Sequence, residues 1–382
     1  MKIVFISLSD ASDVRSWSGL TYHISKALAS QPGVQVIYLD KLAEKSKGIP
    51  YLVQGVKKVL YGKLGKHIDI KLSPWRLKKI GKILLKLLPQ DADIIFADSS
   101  LPLAYLKTDI PKVFYTDATF ASILGFYRPI SSYAKETIRN GNKIDRLAIQ
   151  ASKIAIYSSD WAAASAIKDY ECSSDKIKVV PFGANIECDR TSNDIDALAR
   201  NRTDMPVCNF LFLGVDWARK GGDFAVEVVK KMNSLGVPSV LHIAGIPNLS
   251  DYGEFVVNHG FISKREEAGR NRLSELMSNS HFLLLPTRAD CTPVAYSEAN
   301  SFGLPVLTTD VGGIRTIVRD GVNGWAFPLS ASAQEYADFA ISVFQDKDRY
   351  RKMCLSSFDE FEKNLNWHIS GKRIIELLKN IK

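Results

Sequence analysis

Short, unbroken apolar runs recur at intervals along this chain, and they do so in two series. Lys2 to Ser7 (KIVFIS), Val34 to Leu39, Asp93 to Ala97, Lys112 to Thr116, Lys153 to Ser159 and Lys176 to Gly183 form the first. Asn209 to Gly214, Ser239 to Gly245, His281 to Pro286, Pro305 to Thr309 and Gly324 to Pro328 form the second. Continuous Val, Ile, Leu and Phe runs are strands covered on both faces, as in parallel sheets flanked by helices. Stretches of helical spacing lie between or after them, among them Gly19 to Ser30, Asp223 to Leu235, Lys264 to Ser278, Ala333 to Gln345 and Trp367 to Asn380. Two such series predict two doubly wound α/β domains, which suits a chain of 382 residues, beyond the size of one ordinary core.

Between the series, from Ile186 to Pro206, the pattern dissolves into Asp, Asn, Thr and Ser. The expected organisation is therefore a first domain over 1–186, a linker over 187–206, a second domain over 207–365, and a last helix over 366–382 that packs back on the first domain. Ligands of such sheets sit outside the carboxyl ends of the strands.

Charge and cysteine content narrow the class. The five cysteines are scattered without a Cys-x-x-Cys pair, which fits a reducing compartment and neither a disulfide framework nor a zinc site. No run approaches the ~20 apolar residues of a spanning helix, and the apolar start is too short for a signal peptide, so a cytoplasmic protein is expected. The net charge of +9 is concentrated between Lys41 and Gln90, where thirteen Lys or Arg (Lys47 among them) face only Glu44 and Asp69, a local balance of +11. Within it, WRLKKIGKILLKLL (Trp75 to Leu88) segregates Leu77, Ile80, Leu84, Leu87 and Leu88 from Lys78, Lys79, Lys82 and Lys86. This is either a plain surface helix with solvated lysines or part of a face, 41–86, turned to an anionic membrane or an acidic acceptor. Nucleic acid is not expected, because no aromatic stacking motif accompanies the charge.

The stretch PTRADCTPVAYSEANSFGLPVLTTDVGG, Pro286 to Gly313, carries the most chemistry. Asp290 follows the strand ending HFLLLP, and Glu298 lies inside the helix that Pro293 is expected to open. The free N–H groups at such a helix start suit a phosphate. Carboxylates beside a phosphate site do not bind the phosphate; they accept hydrogen bonds from hydroxyl groups. The local chemistry thus fits a diphosphate flanked by two polyols, as in a nucleotide sugar. Taken alone, Asp290 could equally cap the helix and Glu298 could be a solvated helix residue.

The same stretch resembles the signature of glycosyltransferase family 4, retaining nucleotide-sugar enzymes. Its pattern is a proline, two acids with seven residues between, an alanine, Gly-x-Pro-Val and a later Thr-Asp-x-Gly-Gly. Glu298-Ala299, Gly303 to Val306 and Thr309 to Gly313 fall in register. FLGVDWARKGG (Phe212 to Gly222) resembles the family's phosphate loop, KIKVVPFGAN (Lys176 to Asn185) its segment around Gly183, and WSGLTYHISKALAS (Trp17 to Ser30) its N-terminal loop around Gly19. The resemblance implies the α/β GT-B fold, two Rossmann-like domains facing each other across a cleft. It implies transfer of a hexose-type sugar from a nucleotide-diphosphate donor to a hydroxyl of a glycan or lipid-linked acceptor, without cofactor or metal. The donor site would comprise Lys220 and Arg219 on the diphosphate, Glu298 on the ribose, Asp290 on the transferred sugar, Pro293 and Val294 at the helix start, and the backbone of Gly260 to Lys264 on the base.

Four positions depart from the family. Asp290 stands where Glu is usual, Cys291-Thr292-Pro293 replaces Gly-Phe-Gly, Val215 follows the phosphate-loop glycine where Arg is common, and Asp117 stands at a strand end where a histidine is common. Pro293 has no N–H to offer a ligand. Asp117 is read either as a helix cap before Ala118 or as a catalytic carboxylate near the reacting sugar. The Asp-x-Asp triplets at Asp91, Asp194 and Asp346 read as solvated turns. A nicotinamide enzyme is disfavoured, since Ser7 to Leu20 lacks Gly-x-Gly-x-x-Gly. A nucleotide-sugar epimerase on the same fold and a non-catalytic carbohydrate-binding relative stay open.

Overall fold

A computed structural model describes residues 1–46, 49–127, 130 and 132–381, so Lys47 of the basic segment lies outside the described residues. The chain forms two compact units, Met1–Pro181 with Trp367–Lys382, and Phe182–Asn366.

The first unit begins β1 (Lys2–Ile6), α1 (Leu20–Ala29), β2 (Gln35–Leu39), α2 (Leu42–Lys45), α3 (Ile49–Lys63), α4 (Pro74–Leu87), β3 (Ile94–Ala97) and β4 (Lys112–Thr116). It continues α5 (Phe120–Ile123), α6 (Lys135–Ala151), β5 (Ile154–Tyr157), α7 (Asp160–Tyr170) and β6 (Ile177–Val179). The second unit runs α8 (Ser192–Thr203), β7 (Cys208–Leu213), α9 (Trp217–Lys220), α10 (Gly222–Ser234), β8 (Ser239–Ala244), β9 (Val256–Asn258) and α11 (Glu267–Asn279). Then follow β10 (Phe282–Leu285), α12 (Val294–Asn300), β11 (Val306–Thr309), β12 (Gly324–Phe327), α13 (Ala333–Gln345) and α14 (Lys347–Asn364). Helix α15 (Trp367–Lys379) closes the chain within the first unit.

Each unit is a six-stranded parallel sheet, ordered β2-β1-β3-β4-β5-β6 and β12-β11-β10-β7-β8-β9. The central strands are buried along their length, as their unbroken apolar sequences require. In both sheets the strand order reverses beside a central strand, between β1 and β3 and between β7 and β10. Chains leave these two pairs in opposite directions and open a crevice at their carboxyl ends.

In the first unit that point holds Asp98, just past β3. Its Oδ2 accepts hydrogen bonds from Ser7 Oγ at 2.7 Å and Thr21 Oγ1 at 2.8 Å, tying the ends of β1 and β3 to α1. Helix α15 lies on α1, where Gly371 lets the helices meet: a Cβ there would stand 2.5 Å from the Ala27 carbonyl.

The segment 187–206 is not the linker its composition suggested. Thr191 and Asp194 form a capping box that opens α8, whose Ile195, Ala199 and Arg202 are buried in the second unit, and the unit itself begins at Phe182. The helix escapes notice because it buries one narrow stripe, and one member of that stripe is an arginine. Arg202 is fully buried. Its guanidinium donates to the carbonyls of Met277 (2.9 Å), Ser278 (2.9 Å), Phe302 (3.0 Å) and Gly303 (3.1 Å). Four carbonyls at the ends of α11 and α12, where helix dipoles are negative, do what a carboxylate does elsewhere. Substituting Arg202→Ala orphans all four, and a loss of at least about 3 kcal/mol is expected in denaturant unfolding of the variant.

Burial pushes the Asp98 carboxyl up to about 6, against the pull of the Ser7 and Thr21 hydroxyls. An acid whose pKa is higher in the fold than in the unfolded chain stabilises below the unfolded value and loses that contribution as pH rises through the folded one. The gap of about two pH units corresponds to about 3 kcal/mol, lost between about pH 4 and pH 6. In the second unit, burial holds His281 down at about 4, with Nδ1 accepting from Asn209 N, so its contribution has the opposite slope over that window. The stability difference between Asp98→Asn and wild type isolates the first effect. Measured by urea unfolding, it should shift in favour of the variant by up to about 3 kcal/mol from pH 4 to pH 7; a constant difference would show that Asp98 does not titrate there.

Candidate active site

The crevice beside β7 and β10 in the second unit is where the predicted residues meet. The loop after β7 runs Gly214, Val215, Asp216 into α9, and the loop after β10 runs from Pro286 to Pro293. Lys220 Nζ donates to Asp290 Oδ2 at 2.5 Å, both side chains being 11% exposed. Arg219 Nη1 reaches the same Oδ2 at 3.2 Å and the Ala289 carbonyl at 2.9 Å, while its Nε bonds Asp216 at 3.2 Å. Two cations therefore surround one nearly buried carboxylate. Arg219 is shared with the half-exposed Asp216, so the cluster is balanced as it stands, and an anion would bind by taking the two cations over from these carboxylates.

Backbone contacts fix the same two loops. Asp216 caps α9 through Arg219 N, and the Arg219 carbonyl accepts from Arg288 N at 2.8 Å and Thr287 Oγ1 at 3.1 Å. Gly221 follows with φ 76°, and a Cβ there would lie 2.1 Å from the Pro286 carbonyl. Only glycine satisfies both the left-handed turn and the approach. Gly313 N donates to the Asp290 carbonyl at 3.4 Å, which brings the Gly312-Gly313 pair to the same loop.

Glu298 sits in α12 and is 2% exposed, its carboxylate bonded by Lys264 Nζ at 2.5 Å. Pro293 is the residue before the helix (φ −75°, ψ 113°), so Val294, not Pro293, is its first member. At seven residues α12 is too short to stand alone, and its neighbours hold it. Tyr296 Oη bonds the Leu285 carbonyl and Thr308 Oγ1, Asn300 is clasped by Asn323, and Ser297 Oγ donates to the Phe182 carbonyl at 3.5 Å. Through that last bond Gly183, buried beside Phe182, comes to the helix that carries Glu298.

Asp117 and Gly19 belong to the first unit. Asp117 is half-buried after β4 and does not cap the next helix. Thr119 does, with its side chain accepting from Ser122 N. Burial first, and then the Asp117 charge, raise the Tyr115 phenol. Gly19, φ 86°, ends a left-handed run that includes Trp17 (φ 48°) and Ser18 (φ 57°), a backbone that L residues adopt at a cost. This run leads into α1 and Thr21, and hence to Asp98. Among the described residues no three of His, Cys, Asp and Glu are gathered to hold a metal ion.

One side chain of the site was not read from the sequence: Lys264 was placed only by its backbone, since nothing in SKREE marks which cation will turn inward. Val215, which stands where an arginine is common in the family, is 72% exposed.

Residues 201–355 match the family model described as Glycosyl transferases group 1. A D-inositol 3-phosphate glycosyltransferase of Xylanimonas cellulosilytica is 25% identical over 193 residues, 46% of this chain and 45% of that one. The lipopolysaccharide glucosyltransferase WaaG of Escherichia coli is 24% identical over 200 residues, 51% of each. The matches thus span about half the length of these curated relatives. Among solved structures, Anabaena HepE in complex with UDP superposes with a TM-score of 0.63 over 100% of both chains at 16% identity, a likeness of fold. The two-domain α/β architecture is thus the GT-B fold, and its second unit carries, over residues 201–355, a match to the group 1 glycosyl transferases.

Proposed function

We propose that the chain is a retaining glycosyltransferase that moves a hexose-type sugar from a nucleotide-diphosphate donor to a hydroxyl of a glycan or lipid-linked acceptor. The observation that carries this reading is the pairing of cations with buried carboxylates at the β7/β10 crevice: Lys220 and Arg219 on Asp290, and Lys264 on Glu298. A diphosphate takes Lys220 and Arg219 as counter-charges, and the released carboxylates accept sugar hydroxyls, Glu298 from the ribose and Asp290 from the transferred sugar. The carboxylates cannot hold the phosphates and the lysines cannot accept hydroxyl protons, so the division of labour follows from charge. Relatives named as glycosyltransferases and a neighbour bound to UDP support a nucleotide donor.

In the reaction the bond between the anomeric carbon and the diphosphate oxygen breaks, and the diphosphate leaves with the electron pair. Lys220 and Arg219 stabilise the charge that develops there. The acceptor oxygen forms its bond to the same carbon from the leaving-group side and gives its proton to the departing diphosphate. No metal or cofactor is needed in this scheme. The acceptor role is assigned to the first unit, with Asp117 and the Gly19 loop as its candidate residues. The reading sets the reaction in the cytoplasm, with acceptors on free glycans or at the inner face of the cytoplasmic membrane. Among the described residues no helix is long and apolar enough to cross a membrane.

A thermal-shift panel of nucleoside diphosphates and sugar nucleotides tests the donor site. One base should stabilise the wild type, by about 2.7 kcal/mol at a hundredfold excess over Kd. Lys220→Ala should weaken that ligand by about 2 kcal/mol, roughly thirtyfold, and Glu298→Ala should weaken the nucleoside diphosphate comparably. No shift with any nucleotide, in folded protein, would favour a non-catalytic relative.

Asp290→Asn separates binding from chemistry. With the carboxylate gone Lys220 is no longer contested, so nucleoside diphosphate affinity should stay equal or rise, while kcat with the sugar nucleotide falls by roughly a hundredfold. A parallel loss of both would mean that Asp290 serves only to build the loop.

A further inference from the structure

Of the large apolar residues left exposed among the described residues, five fall within twelve positions of the first unit: Val53 (53%), Val56 (61%), Val59 (62%), Leu60 (57%) and Leu64 (74%). Val53, Val56 and Leu60 stand on α3, with Leu64 in the turn that continues it. Their spacing of three, four and four residues sets them in one stripe along the helix, with Val59 at its margin. Lys57 and Lys63 flank the stripe, and Lys58 and Lys66 lie beyond it. From Lys45 to Ile68 the sequence contains no Asp or Glu, and among the described residues the segment's ion pair is that of Lys57 with Glu136 of α6, at 3.0 Å.

The helix that the sequence pointed to instead, α4, has its apolar face taken. Leu77, Ile80 and Leu84 are 0–1% exposed, and Gly81 lies so close to the Tyr105 carbonyl that a Cβ would meet it at 2.7 Å. Its lysines are those of an ordinary surface helix.

We propose that α3 is a membrane-docking element, which lays Val53, Val56, Leu60 and Leu64 into the headgroup boundary of an anionic lipid surface while the surrounding lysines meet the lipid charges. Charge decides between occupants. A second copy of the chain would set lysines against lysines across the stripe, and a nucleic acid would gain nothing from a row of Val and Leu. An anionic bilayer satisfies both the apolar row and its cationic rim. The inference does not depend on the donor site and can fail without it.

Sedimentation of the full chain with vesicles tests it, comparing phosphatidylcholine alone with phosphatidylcholine containing about one-third phosphatidylglycerol. Wild type should bind the anionic vesicles and not the neutral ones. Val56→Glu/Leu60→Glu should lower the partition coefficient at least about tenfold, whereas Leu85→Glu/Leu87→Glu on α4 should change it by less than about twofold. Lys58→Gln/Lys63→Gln leaves the stripe intact and should weaken binding by roughly fivefold or more, which keeps the test open if the double glutamate variant does not fold. Equal binding to both vesicles, no binding to either, or anionic binding unaffected by the α3 substitutions would overturn the proposal. So would self-association without lipid that Val56→Glu/Leu60→Glu abolishes, since the stripe would then be a protein interface.

Discussion

A buried guanidinium with no carboxylate beside it holds the second unit together. Arg202 gathers the carbonyls that end α11 and follow α12, and so fixes where the two helices stop. The cost of burying the charge is offset only because all four acceptors converge on it. Helix α12 inherits the benefit. It has seven residues, too few for intrinsic stability, yet it carries a carboxylate that is 2% exposed. With its end held by Asn300 and Arg202, its middle by Tyr296, and its start by Pro293, Glu298 has little freedom to move.

That rigidity gives the crevice its chemistry. Two carboxylates are held out of water, and each is matched by a lysine at 2.5 Å. Such pairs contribute little net stability, because desolvation takes back most of the Coulomb gain. Their use lies in exchange: a ligand that brings anionic oxygens for the lysines and hydroxyl groups for the carboxylates satisfies all four groups at once. Lys264 is the more exposed partner, its side chain 46% exposed against 11% for Lys220, so water can replace it on Glu298 more readily than it can replace Lys220 on Asp290. Preorganised charges of this kind cost no reorganisation when the reaction charge develops.

The parallel strands were legible because a strand buried on both faces leaves no polar alternation to misread, and β4 and α13 fall on the residues that the pattern marked. Helix α8 was not, since its composition is that of a loop and its core residue is an arginine. β9 has three residues, of which two are exposed, and offers no apolar run at all. At the site, motif spacing pointed to Lys220, Asp290 and Glu298, but their partners depend on tertiary geometry. Arg219 looked like a phosphate ligand and is also the clip between the β7 and β10 loops; Lys264 looked like one cation of a charged turn and is the counter-ion of Glu298. Charge segregation on α4 was read correctly as amphipathic, yet amphipathicity alone does not say whether the apolar face meets the sheet or the outside. Here it joins the core of the first unit, and the exposed stripe belongs to α3.

The central claim is that the β7/β10 crevice accepts a nucleoside diphosphate by partner exchange. A crystal structure of the chain with the diphosphate that stabilises it tests this most directly. The account predicts phosphate oxygens within hydrogen-bond distance of Lys220 Nζ, ribose hydroxyls on the Glu298 carboxylate, and Lys264 moved off it. A diphosphate bound elsewhere, or bound there with the Lys264–Glu298 pair still closed, would contradict it.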